Sequence, residues 1–114
     1  MQLETETHNG VLIITALMKR IDAAVAIQFK DNMREATKEP LPRIVLDLSE
    51  VDFMDSSGLG AVVAAMKLLA PDHKLELAGL TANVEKVFRL TRMDSVFTIH
   101  ADKDTALNKN AHVT

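Results

Sequence analysis

Residues 43–48, Arg43-Ile44-Val45-Leu46-Asp47-Leu48, are built around the continuous apolar run Ile44-Val45-Leu46. A strand of that kind is stable only where both of its faces are covered, because a half-open sheet would leave one row of its side chains in water. Helical patterns lie upstream and downstream of this strand in the sequence. Upstream, Ala26, Phe29, Met33 and Ala36 recur at helical spacing, with Gln28, Lys30, Asp31, Arg34, Glu35 and Lys38 elsewhere, which predicts an amphipathic helix from Asp22 onward, ended by Pro40 and Pro42. Downstream, Val51 to Met54 continues the extended chain toward a turn and a second helix is expected over residues 57–70.

The remaining segments follow the same grammar. Asn9-Gly10 sits between Leu3–Thr7 and the β-branched run Val11-Leu12-Ile13-Ile14-Thr15-Ala16-Leu17, a spacing that predicts a hairpin. Pro71-Asp72-His73 breaks the second helix, and Lys74-Leu75-Glu76-Leu77-Ala78 alternates as a half-exposed strand would. Thr81 is placed to cap a third helix with Val84, Val87, Phe88 and Thr91 on one face. Ser95 to His100 reads as a last short strand, and Asp102 to Lys109 as a weak terminal helix. An opening hairpin followed by alternating strands and helices implies an α/β fold with a mixed sheet. With 114 residues, 47% of them hydrophobic, and no repeat or linker, one domain over residues 1–114 is expected.

Charge and composition exclude several functions. A net charge of −3 leaves no electrostatic footprint for nucleic acid. The absence of cysteine removes disulfides and thiolate metal sites, while the amino terminus lacks a secretory signal and no apolar segment is long enough to insert in a membrane. A cytoplasmic protein that acts on other proteins is the expectation. His8, His73, His100 and His112 are scattered, without the pairing a zinc site needs, and are expected at the surface.

Chemistry concentrates in Asp52-Phe53-Met54-Asp55-Ser56-Ser57-Gly58-Leu59-Gly60, which places two hydroxyls and two glycines at a strand-to-helix junction. The first N–H groups of a helix lack partners and its dipole is positive there, so a phosphate on Ser56 would be accommodated. The same residues also suit a plain helix cap, and the two uses are compatible. No Lys-Ser/Thr follows Gly58 and Gly60, so a P-loop is excluded; Ser56 lacks a nucleophile elbow and an assignable base, so a hydrolase is disfavoured. Asp47, Asp52 and Asp55 are more simply solvated carboxylates than cation ligands, and neither metal nor cofactor is expected. The helix that follows has Leu59, Val62, Val63, Met66 and Leu69 on one stripe and Ala61, Ala64, Ala65 and Leu68 on the other, with Lys67 its single charge. A helix apolar all round is either buried or docks a partner.

Across Ile44 to Gly60, the chain closely resembles the anti-sigma factor antagonists with a STAS domain, and the likeness extends through the opening hairpin, the first helix and residues 75–91. The resemblance implies the STAS fold and a non-enzymatic partner-switching cycle, in which a serine protein kinase, often itself the anti-sigma factor, phosphorylates the first serine after the aspartate. Here that serine is Ser56. The unphosphorylated form would bind the kinase or anti-sigma protein, and a PP2C-type phosphatase would restore it. Asp22, Asp55, Ser57, Gly58 and Leu59 are the implied partner-binding residues, with the open side of the second helix, Ala65 included, completing the surface. Relatives usually carry glycine and an acidic residue where this chain has Lys19-Arg20 ahead of Ile21-Asp22, a departure that bears on which partner is bound. The output that the resemblance implies is transcription through a sigma factor or another process such as biofilm formation. Two alternatives share the architecture: a STAS accessory subunit of a transport complex, and a receiver-like phosphoacceptor domain. The receiver lacks its acidic pair, since Thr15-Ala16-Leu17-Met18 carries no carboxylate.

Overall fold

The computed structural model describes residues 2–111; His112 lies outside them. Strand β1 (Leu3–His8) and strand β2 (Val11–Ala16) form the expected antiparallel hairpin, closed at His8 opposite Val11. Asn9 and Gly10 both take positive φ, 53° and 79°, the pair of left-handed residues that a tight two-residue hairpin turn requires. After β2 comes a two-residue strand, β3 (Arg20–Ile21), then helix α1 (Ala26–Ala36), β4 (Arg43–Asp47), the short β5 (Phe53–Met54) and α2 (Ser56–Leu69). The chain finishes with β6 (Lys74–Ala78), α3 (Ala82–Leu90), β7 (Ile99–His100) and α4 (Lys103–Ala111).

The main sheet has the order β1-β2-β4-β6-β7, with only β1 antiparallel. The apolar run of β4 lies at its centre and is buried on both faces, as its composition requires. Ile44, Leu46 and Leu48 join Phe29, Met33, Val62, Leu69, Val84 and Phe88 in the larger core cluster. Val45 faces the other way, onto Val11, Ile13, Ala78 and Ala106. Phe88 and Phe97 meet edge to face, with centroids 5.8 Å apart, the favoured geometry for an aromatic pair.

Several boundaries differ from the sequence reading, each for a local reason. Helix α1 begins at Ala26 rather than Asp22, because Asp22 bonds its own neighbours: its Oδ1 accepts from Ala24 N–H at 3.1 Å and its carbonyl from Val25 N–H at 3.1 Å, a local turn that competes with helix. Residues 53–54 do not extend β4; as β5 they pair in parallel with β3 in a separate two-stranded sheet. Strand β6 is buried from Leu75 to Ala78 instead of half exposed, since the second core cluster, with Ala106 of α4, forms on the sheet face that holds Glu76. Thr81 stands at the N-cap of α3 but donates its hydroxyl to Val51 O at 2.7 Å rather than accepting from the helix. Thr91 is exposed. The last strand is confined to Ile99–His100, because residues 93–95 turn as a short 3₁₀ segment.

Candidate functional site at the start of helix α2

The site is assembled by two chain segments that meet beside the main sheet. Lys19 O accepts both Asp52 N–H at 2.7 Å and Phe53 N–H at 3.2 Å, and the β3–β5 pairing sets Arg20 against Phe53 and Ile21 against Met54. Ile21 and Met54 are buried, whereas Arg20 and Phe53 face out. The Arg20 guanidinium lies over the Phe53 ring at 4.2 Å and its Nε donates to Asp22 Oδ2 at 3.2 Å. Lys19 Nζ stands 3.9 Å from Asp52. Lys19 and Arg20 therefore both stand on the ledge beside the helix start.

Asp55 closes the junction. Its backbone is extended, at φ −103° and ψ −173°, as an N-cap residue requires. Oδ1 accepts from Gly58 N–H at 2.9 Å and Oδ2 accepts from Ala23 N–H at 3.2 Å, so one carboxylate caps α2 and ties down the loop that carries Asp22. These N–H donors, Gly58 first, together outweigh the opposing effect of burial and hold the Asp55 carboxyl below its ordinary range. Ser56 follows as the first residue of α2 and is exposed, as is Ser57; Leu59 is half-buried against the core. Among the described residues no hydrogen bond occupies the Ser56 hydroxyl.

Gly58 has a different place from the one expected of it. It is buried, and a Cβ built on it would lie 1.9 Å from Ile21 O and 2.8 Å from Ile21 C. Its lack of a side chain lets α2 approach the backbone of β3, so it shapes the surface from beneath. Ala65 is likewise buried, at 5% exposure, and leaves the open side of the helix to Gly60, Lys67 and Leu68, with Leu59, Val63, Ala64 and Met66 half-buried.

The acidic residues serve separate partners. Asp47 is buried and its Oδ1 accepts from Ser49 N–H at 2.9 Å, Asp52 meets Lys19, and Asp55 caps the helix. Among the described residues no group of three or more metal-ligating side chains gathers. His8 is exposed and His73 half-buried, its Nδ1 3.1 Å from Leu41 O. His100 is not at the surface: it is buried, with Nε2 2.6 Å from Glu76 Oε1.

That contact belongs to a cluster that the sequence reading missed. Arg43 donates from Nε to Glu76 Oε2 at 2.6 Å, and from Nη2 both to Glu76 Oε1 at 2.8 Å and to Ala106 O of α4 at 2.7 Å. Burial pushes the Glu76 carboxyl up, but the Arg43 fork and then His100 outweigh it and hold the group below its usual range; the same bond raises Arg43. The available signal was a glutamate inside an apolar strand whose neighbour begins with arginine.

Comparison with known proteins places this geometry in context. The STAS domain family model matches residues 2–106. An anti-sigma F factor antagonist of Paenibacillus polymyxa is 35% identical over 109 residues, covering 95% of this chain and 91% of that protein. The crystal structure of an anti-sigma factor antagonist from Mycobacterium paratuberculosis aligns with a TM-score of 0.83 and 24% identity, over 94% of this chain and 91% of the other. The Bacillus cell fate determinant SpoIIAA in its phosphorylated form gives a TM-score of 0.66 and 22% identity, over 94% and 97% of the two chains. No helix among the described residues is long and apolar enough to cross a membrane.

Proposed function

The chain belongs to the STAS-domain family, and on that footing we propose that it is a partner-switching regulator of the anti-sigma factor antagonist kind, controlled by phosphate on Ser56. The observation that carries this reading is the exposure of Ser56 as the first residue of a helix whose start is already fixed by Asp55. A kinase can reach the hydroxyl without disturbing the cap. The relative SpoIIAA has been solved in a phosphorylated form, and Ser56 is the residue to which we assign that modification here.

The electrostatics give the switch its direction. Phosphate adds about −1.5 to −2 charges, and the free N–H groups and dipole of a helix start accommodate it, to the extent of about 0.3–1 kcal/mol at an exposed site. The fold is therefore kept. The same dianion stands beside Asp55 and the Asp22 loop, next to the half-buried Leu59. A partner seated there would have to desolvate the phosphate and hold it against neighbouring carboxylates, which disfavours binding. In this reading the unphosphorylated chain binds a serine kinase or anti-sigma protein through Asp22, Asp55, Ser57 and Leu59, and a PP2C-type phosphatase resets it. Its hydroxyl receives phosphate rather than attacking a substrate, so the chain has no turnover of its own.

The test is incubation with the cognate serine kinase and ATP, phosphosite mapping by mass spectrometry, and binding measurements on variants. Ser56→Ala should bind the kinase constitutively, Ser56→Asp should bind poorly, and Ser57→Ala should still accept phosphate. Modification on Ser57, or equal affinity for Ser56→Asp and Ser56→Ala, would refute the mechanism. Co-purification with a transporter subunit instead of a kinase would reassign the protein to transport.

A further inference from the structure

A second surface lies away from Ser56, in the trench between α1 and the C-terminal half of α2. Small residues recur along α2 at Gly60, Ala61, Ala64 and Ala65, so its facing side rises little above the backbone. A cavity of about 300 Å³ opens there over Ala64, Ala65 and Leu68, and it is flanked by Lys30 and Arg34 of α1 and Lys67 of α2. A second cavity of about 400 Å³ shares Arg34 and Leu68 and continues past Lys38 and Asp72. Leu68 is 54% exposed, and Ile27, one turn before Lys30 on α1, is 71% exposed.

The charges beside the trench are unbalanced. Arg34 leans on Asp31 at 3.4 Å and Lys38 on Glu35 at 3.0 Å, but among the described residues neither Lys30 nor Lys67 has a carboxylate within ion-pairing distance. Asp72 is the one acidic residue lining either cavity. In a chain of net charge −3, an apolar floor between cationic banks is a local inversion of sign. Such a floor takes an apolar stripe at helical spacing, and such banks select acidic residues on its flanks.

We propose that this trench docks an amphipathic helix of a partner protein, with its apolar stripe on Ala64 and Leu68 and its Asp and Glu residues against Lys30, Arg34 and Lys67. The site is separate from the start of α2 and does not depend on phosphorylation of Ser56. It would let the chain hold a second protein while the Ser56 surface is free or occupied.

The experiment titrates the ¹⁵N-labelled full chain with a synthetic helix-forming peptide of about four turns, Leu on one stripe and Glu on both flanks, and with the same peptide carrying Lys for Glu. Amide shifts should concentrate on α1 and the second half of α2. The Glu peptide should bind about tenfold tighter than the Lys peptide, and the double variant Lys30→Glu/Lys67→Glu should erase that preference. Leu68→Ser should weaken both peptides; should it not fold, the exposed lysine pair still decides the matter. Equal binding of the two peptides, shifts centred elsewhere, or a trench that responds to phosphatidylserine vesicles and not to the Glu peptide would overturn the proposal.

Discussion

Replacing Gly58 by alanine separates what helix propensity predicts from what the packing at the site predicts. Gly58 lies in the first turn of α2, and glycine is less favourable than alanine in a helix interior by up to about 1 kcal/mol. Propensity alone therefore forecasts a more stable protein. The new methyl group, however, would stand 1.9 Å from Ile21 O, 2.8 Å from Ile21 C and 3.0 Å from Met54 Cγ. The first two are backbone atoms of β3, so no rotamer change relieves the contact. Either α2 or β3 must shift by about an ångström, a strain in the upper part of the roughly 1–3 kcal/mol range of overpacking. Set against the gain in propensity, the net effect is a loss of about 2 kcal/mol. Gly60, one position beyond Leu59 in the same helix, has nothing within 4 Å of the same built atom, and Gly60→Ala should gain about 0.5–1 kcal/mol.

Urea unfolding of the two variants and the parent, followed by far-ultraviolet circular dichroism, measures the contrast directly. With a slope of about 1.5 kcal/mol per molar, the midpoints of the two alanine variants should differ by roughly 2 M, Gly58→Ala lying below the parent. A Gly58→Ala midpoint equal to or above the parent would refute the close approach of α2 to β3, and with it the account of how the Ser56 surface is held.

Glu76→Ala should destabilise the domain by about 3 kcal/mol in the same assay, because it strands Arg43 while that side chain keeps 20% of its surface in water, which softens the penalty of a broken buried pair. The carboxyls of Glu76, Asp55 and Asp102 are all depressed in the folded chain; their stabilisation is thus complete above the ordinary carboxylate pKa of about 4 and is lost as pH falls through the lower folded values. Thermal melts between pH 7 and pH 3 should show this decline, and Asp55→Asn, which can still accept from Gly58 N–H, should make it shallower; an identical profile would remove Asp55 from the acid response. Ala65→Glu should unfold the domain, since it buries a charge at a site 5% exposed, whereas Leu68→Glu should change stability by no more than about 0.5 kcal/mol; comparable melting temperatures for the two would contradict the orientation of α2.

The elements that sequence made legible are those whose pattern carries its own reason. The uninterrupted run at Ile44-Val45-Leu46 demanded a central strand, Asn9-Gly10 demanded a tight hairpin, and Asp55-Ser56-Ser57 before a small-residue helix marked a cap, a part that falls to Asp55; each rests on residues adjacent in the chain. From alternation alone Glu76 faces water, but alternation shows which residues share a face and not what covers that face. Its cover, α4, is a weakly patterned segment that begins 27 residues later, at Lys103. The sheet of β3 and β5 has two residues per strand, too few for any period, and exists through pairing between positions 33 apart. The same long-range logic governs the site. Asp55 looks like a local cap, but its second oxygen holds Ala23, 32 residues away, and Gly58 is small because Ile21 O presses on it. The surroundings of Ser56 are therefore set by residues 19–25 as much as by its own motif, and that is where Lys19 and Arg20 stand. Under the proposed switch, a change of partner would be written into that loop with Ser56 untouched, because Arg20 is anchored on Phe53 and Asp22 while the cap at Asp55 is left intact.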